Sequence, residues 1–267
     1  GPRVDAPEQA LAGFMQANGL KSLDGVEKRE VGKGTHYFVV RNEKGEKTEK
    51  ILPGRINFIV AMFGWPKSMR WGVTHENDPR SWVRPLQNIN IIFDGKIIMG
   101  SDEFYGHRFL SPKPFKAKSF DDYQKQLRKH YVILDQNERR SEIQQQAEKL
   151  AIRHKLNLRA DDGLLDEVTG LVEWPTAMLG SFEKEYLSVP QECLIATMRT
   201  NQKYFPLFDA DGKLSNHFIL IANVPGSKGE GPIVSGNERV LRARLSDAKF
   251  FYDQDLKIKL DARLPKL

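Results

Sequence analysis

The stretch FPLFDADGKLSNHFILIAN, residues 205–223, decides the fold. Two apolar runs, FPLF and HFILIA, flank a polar segment that contains Asp211-Gly212. Apolar runs rich in Phe and Ile, separated by a short Gly-containing turn, are the pattern of an antiparallel β-hairpin. The same pattern recurs earlier in the chain. INIIFDGKIIMG, residues 89–100, predicts two strands joined by Asp94-Gly95, a favoured tight-turn pair. VEKREVGKGTHYFVVRNEKGE, residues 26–46, predicts a hairpin about Gly32-Lys33-Gly34, with a second turn over 42–46. HRFL and the VIL segment before Asp135 are expected to be strands.

Helical spacing fills the gaps between these runs. APEQALAGFMQANG predicts a helix with Pro7 in its first turn and Gly19 at its C-cap. GRINFIVAMF, after Pro53, places Ile56, Ile59, Val60 and Phe63 on one side. Ser119 with Asp122 starts one helix, and Asp135 caps a long polar one. GLLDEVTG, VPQECLIATMRTNQKYF and the segment from Gly236 complete the set. Helices and hairpins alternate irregularly, so the expected class is α+β, mixed α/β with largely antiparallel hairpins, and not a doubly wound sheet. A helix-hairpin-helix lobe over residues 1–75 is expected before a larger α+β body over 76–267, or the two form one continuous unit. The soft boundary is the polar-aromatic loop of residues 64–80.

Composition limits the function classes. Of 267 residues, 40% are hydrophobic and 28% charged, which is ordinary globular chemistry. With 41 Lys and Arg against 35 Asp and Glu, the formal charge is +6. That permits a polyanionic partner such as RNA without requiring one. Cys193 is the sole cysteine, which excludes an intrachain disulfide and a Cys-rich zinc site and suggests a cytoplasmic protein. No apolar run approaches the roughly 20 residues of a membrane span. The chain begins Gly1-Pro2 without Met, so a fragment is expected.

Familiar reaction motifs are missing. There is no phosphate-binding GxxxxGK[ST], HExxH or GxSxG, and Gly32-Lys33-Gly34 lacks the third glycine of a dinucleotide fingerprint. The six histidines, His36, His75, His107, His130, His154 and His217, are scattered in sequence, and no metal site is expected.

Basic and aromatic residues do cluster. GNERVLRARLSDAKFFYDQDL, residues 236–256, read at about 100° per residue, puts Leu241, Leu245, Ala248 and Tyr252 within about 60°. Val240 and Phe251 are expected to widen that apolar arc. Arg239, Arg242 and Lys249 share the far side, where they meet an anion or simply solvate the helix. Arg244 falls inside the arc, so an internal ion pair with a structural role is expected. Lys67, Arg70, Arg80 and Arg84 interleave with Trp65, Trp71 and Trp82. Such a mixture either grips a nucleic-acid backbone or anchors a loop by its Trp side chains. GHRFL puts His107 and Arg108 at an expected strand start, so at most one faces a cleft, and His217 is a further cleft candidate. Lys203, at a helix end, either contacts an anion or complements the helix dipole.

Taken in order, PKSMRWG, VRP, GHRF, LVEWP, NQKYFPLFDADGKL, HFILIANV and SGNERVLRARLSDAKFF resemble the β subunit of the bacterial heterotetrameric (α2β2) glycyl-tRNA synthetase. The resemblance spans residues 1 to about 256 and implies an N-terminal to middle piece of a longer subunit. It implies a non-catalytic region that binds tRNA(Gly) and helps hold the α subunit. ATP-dependent glycine activation, with ATP and Mg2+, then belongs to that partner, and this chain has no cofactor, DNA or membrane of its own. Lys67, Arg70, Arg80, Arg84, Lys203, Arg239 and Arg242 become the candidate tRNA contacts. Two rival roles are an editing-like hydrolase cleft using His107 or His217 as base, and a pure protein-interaction scaffold.

Overall fold

The computed structural model describes residues 1–32, 34–71, 81–86, 88–224 and 230–262. The chain folds as α+β and divides into two compact units, Gly1–Val83 and Arg84–Leu267.

In the first unit, α1 (Glu8–Asn18) ends where Gly19 takes the left-handed conformation. There its N–H and that of Leu20 reach back to carbonyls of the last turn. Strands β1 (Glu27–Val31) and β2 (Gly34–Phe38) pair antiparallel, with Glu27 opposite Phe38. Helix α2 (Thr48–Met62) begins earlier than the spacing suggested, and Pro53 lies inside it. Proline lacks the donor for one bond of the ladder, and its fixed φ is otherwise helical. Short strands β3 (Met69–Arg70) and β4 (Ser81–Trp82) pair antiparallel. The turn expected over 42–46 does not form, and the segment belongs to no helix or strand.

The second unit opens with the hairpin of β5 (Ile91–Phe93) and β6 (Lys96–Met99). Asp94 and Gly95 both have positive φ, as a two-residue turn of the tightest kind requires. Helix α3 (Phe120–Lys129) starts where the Ser119 hydroxyl accepts the Asp122 N–H. Helix α4 (Gln136–Arg153) starts where the Asp135 carboxylate accepts the N–H groups of Asn137 and Glu138. Two expected strands are absent. Residues 132–134 sit in no sheet, with the Ile133 N–H donating to the Glu173 carbonyl. Residues 108–110 form a turn rather than a strand.

A four-stranded antiparallel sheet forms the centre of this unit, in the order β7-β9-β10-β8. Its strands are β7 (Asn157–Leu158), β8 (Thr176–Ser181), β9 (Phe205–Phe208) and β10 (Leu214–Ala222). The hairpin of residues 205–223 is β9-β10, closed where Asp209 accepts the Lys213 N–H and Gly212 turns at positive φ. Alternation along β10 splits its side chains between two cores. Ile219 packs with Ile143, Ala147, Ala151 and Leu164 from α4 and α5 (Asp162–Thr169). Phe218 and Leu220 pack with Leu194 of α6 (Gln191–Ala196) and with Leu241 and Leu245 of α7 (Glu230–Asp255). The β8 edge is capped by side chains, with Gln146 accepting the Ala177 N–H and Glu238 the Ser181 N–H.

Candidate nucleic-acid interface

The basic helix α7 buries a narrower stripe than its sequence suggested. Leu241 and Leu245 are fully buried, while Ile233, Val234 and Tyr252 pack at the margin. Val240 and Phe251, expected to widen the arc, are exposed at 47% and 63%. Arg244 is also exposed, and no ion pair is found for it among the described residues, so the structural pairing expected there does not form. The angular reason is plain. Arg244 sits about 60° from Leu241 on the helix wheel, and the sheet covers little more than the Leu241–Leu245 line. The pairing falls instead to Arg242, whose Nε lies 2.5 Å from Glu183 Oε1. The backbone N–H of Glu183 and the Arg242 guanidinium together hold that carboxyl below its ordinary pKa. Arg239 is exposed and carries no such bond among the described residues.

Lys203 is likewise occupied. It follows a π-helical turn, Thr197–Gln202, and adopts a left-handed φ of 60°. Its Nζ lies 2.8 Å from Glu167 Oε1. The backbone reversal turns Tyr204 inward, where its ring stacks on Phe218 at 4.6 Å and its hydroxyl donates to Asn237. Burial pushes the Tyr204 pKa up to about 12. The NQKYF segment is thus a core anchor with a surface ion pair.

The tryptophans of the 64–85 segment contact one another. Trp65 meets Trp82 edge-on at 5.0 Å, Phe63 lies 4.6 Å from Trp65, and the Trp71 indole N–H donates to the Trp82 carbonyl. No Arg stacks on a Trp among the described residues, so the rings serve as an apolar anchor for β3 and β4. Lys67 and Arg70 are exposed at the rim in the first unit, and Arg84 is exposed at the start of the second. None of the three has a side-chain partner among the described residues. Arg80 lies outside the described residues, as does His75.

His107 and His217 have different surroundings. His107 is 1% exposed. Its Nδ1 accepts the N–H groups of Phe109 and Leu110, so the proton sits on Nε2, which donates to the Asn223 carbonyl at 2.9 Å. With both nitrogens engaged, it has no lone pair to offer a water molecule. Asn223 in turn accepts the N–H groups of Glu173 and Trp174 through Oδ1. Arg108 is exposed beside it. His217 sits on the same face of the sheet as Ile219 and Ile221, beyond them towards the end of α4. Burial, and then the neighbouring His154 and Lys184, lower its pKa. Sequence spacing gave no sign of this convergence, because the three residues come from the end cap of α4, a 3-10 turn and β10. Among the described residues no group of His, Cys, Asp and Glu is arranged to hold a metal ion. No described helix is long and apolar enough to cross a membrane.

Lys67, Arg70, Arg84, Arg239 and Arg244 are thus exposed cations without an ion pair among the described residues, and His107 is engaged at both ring nitrogens. The family model described as glycyl-tRNA synthetase beta subunit matches residues 2–267. The chain belongs to that family. The chain is 42% identical over 294 residues to the glycine–tRNA ligase beta subunit of Rhodospirillum centenum, covering 98% of this chain and 41% of that protein. The corresponding protein of Phenylobacterium zucineum is 41% identical, covering 100% and 40%. That of Rickettsia felis is 37% identical, covering 100% and 41%. The chain thus spans about 40% of the length of these synthetase relatives.

Proposed function

We propose that this chain is a non-catalytic, tRNA-contacting and subunit-assembly region of a glycine–tRNA ligase beta subunit. In this reading it supports ATP-dependent charging of tRNA(Gly) in the cytoplasm, while ATP, Mg2+ and glycine are handled by a separate alpha subunit. The observation that carries it is the set of unpaired cations. Lys67, Arg70, Arg84, Arg239 and Arg244 are exposed, and none has an ion pair or side-chain hydrogen bond among the described residues. Arg242 and Lys203 are instead bound to carboxylates. A cation with no internal partner keeps its full attraction for a phosphate. Fluorescence anisotropy with labelled tRNA(Gly) tests this. Binding should be tight at low salt and weaken steeply towards physiological salt, and Arg239→Ala should weaken it more than Arg242→Ala. Equal losses for the two variants would count against it.

The assembly part of the role is supported by α2. Phe58, Ile59 and Met62 on that helix, and Phe63 just past it, are each more than half exposed. Pull-down of the alpha subunit by the chain, with nuclease present, tests that part. Loss of capture in a Phe58→Ser, Met62→Ser variant supports it, and unchanged capture argues against α2.

A further inference from the structure

Phe109 is 80% exposed, more than any other large apolar residue among those described. Single exposed apolar residues are common and carry no meaning alone. Phe109 differs in what holds it. The turn beneath it is clamped from inside by His107, whose Nδ1 takes the N–H groups of Phe109 and Leu110 at 3.2 Å each. The Ser111 N–H closes the turn onto the His107 carbonyl at 2.9 Å. The His107 N–H donates to the His130 carbonyl, and the Ser111 hydroxyl contacts His130 Nδ1 at 2.5 Å. His130 is itself stacked on Phe115 at 4.7 Å with the rings 10° apart. The backbone therefore has little freedom to fold the ring away. The Arg108 guanidinium lies 5.7 Å from the Phe109 ring centre. The result is an aromatic ring on a rigid post with a cation beside it.

We infer that Phe109 and Arg108 form a stacking platform for an unpaired RNA base, with Arg108 facing the adjoining phosphate. Two features favour RNA over a protein partner. A protein hot spot ordinarily seats such a ring in an apolar surround, whereas here the ring's recorded neighbours are the Arg108 guanidinium and the His107 imidazole, tilted at 6.3 Å. Stacking on an exposed aromatic beside an Arg is also the chemistry by which single strands are held without base-specific hydrogen bonds. The platform is fixed before binding, so little ordering entropy opposes it. The inference rests on the tRNA-binding reading and adds to it a preference for unpaired nucleotides.

The test uses the 267-residue chain and two labelled RNA hairpins, one with a short unpaired 3′ tail and one blunt. The wild type should bind the tailed hairpin more tightly. Phe109→Ala and Phe109→Leu should each lose about tenfold on the tailed hairpin, bringing it to the blunt value, and Phe109→Trp should stay within about twofold of wild type. Salt dependence should be unchanged in all three, because no charge is removed. If Phe109→Ala binds the tailed hairpin as wild type does, or loses affinity for both hairpins alike, the platform is wrong. The RNA reading then survives provided that Arg239→Ala still weakens both. If wild type binds neither hairpin, the RNA reading falls and the platform with it. If Phe109→Ala spares RNA but abolishes capture of the alpha subunit, the ring belongs to a protein interface and the inference is overturned.

Discussion

Replacing His107 by Ala separates a structural imidazole from a catalytic one. The ring makes one bond to the Asn223 carbonyl and accepts two backbone N–H groups from the 108–110 turn. Each such bond contributes about 1 kcal/mol net, and the orphaned Asn223 carbonyl and the emptied ring volume add to the loss. Because Phe109 is exposed, its freed N–H can turn to water, which keeps the total near the lower end. A loss of about 3–4 kcal/mol follows. For a unit of the size of Arg84–Leu267, about 2–4 °C per kcal/mol gives a fall of about 6–16 °C in its melting temperature. Differential scanning calorimetry reads this directly. Deacylation of a mischarged tRNA, measured in parallel, should show no histidine-dependent turnover. A variant that melts within about 2 °C of wild type would refute the clamp. Loss of a measurable esterase activity without loss of stability would restore His107 as a base.

Other perturbations follow from the same packing. Leu241→Ala removes a fully buried side chain between α7 and the sheet and should cost about 2–5 kcal/mol in chemical denaturation, whereas Val240→Ala, on the exposed flank, should cost under about 0.5. Gly180→Ala would drive a Cβ to 2.7 Å from Phe218 Cε2, and nearer still to Cζ. Both atoms belong to a ring packed between Gly180 and Tyr204, so a destabilisation of about 1–3 kcal/mol or more is expected in the same assay. His217 has a folded-state pKa below its unfolded value of about 6.5, so the unfolded chain takes up the proton first. Its contribution to stability is present above that value and is lost as pH falls below it. Thermal melts between pH 7.5 and 5 should show this loss, and His217→Gln should flatten the curve. A variant with the same pH slope as wild type would remove His217 as its source.

Much of the fold is legible in local sequence. The turn pair Asp94-Gly95, the polar turn between FPLF and HFILIA, and the caps Ser119 and Asp135 act within a few residues of themselves, and the structure places each where it was expected. The failures come where tertiary contacts decide. HRFL has strand-like composition, yet the demand of His107 for two backbone donors bends it into a turn. Arg244 sits at the rim of an apolar arc whose true width depends on how much of α7 the sheet covers, which no wheel can show. The π-helical turn that aims Tyr204 inward is a register shift without a composition signature. Among the candidate cations, sequence found the cluster on α7 but could not tell which side chains a carboxylate would claim, since Glu183 and Glu167 approach from distant segments. Phe109 was in plain view within GHRF. Its exposure became visible only with the turn.

The central claim is that unpaired surface cations of this chain bind tRNA phosphates. Its most direct test is the slope of log affinity against log salt for tRNA(Gly), measured for wild type and for a variant with Lys67, Arg70, Arg239 and Arg244 all changed to Ala. If each of the four neutralises a phosphate, the slope should become shallower by about 3 units, at about 0.7–0.9 per lost contact. A variant that keeps the wild-type slope and affinity would contradict the claim.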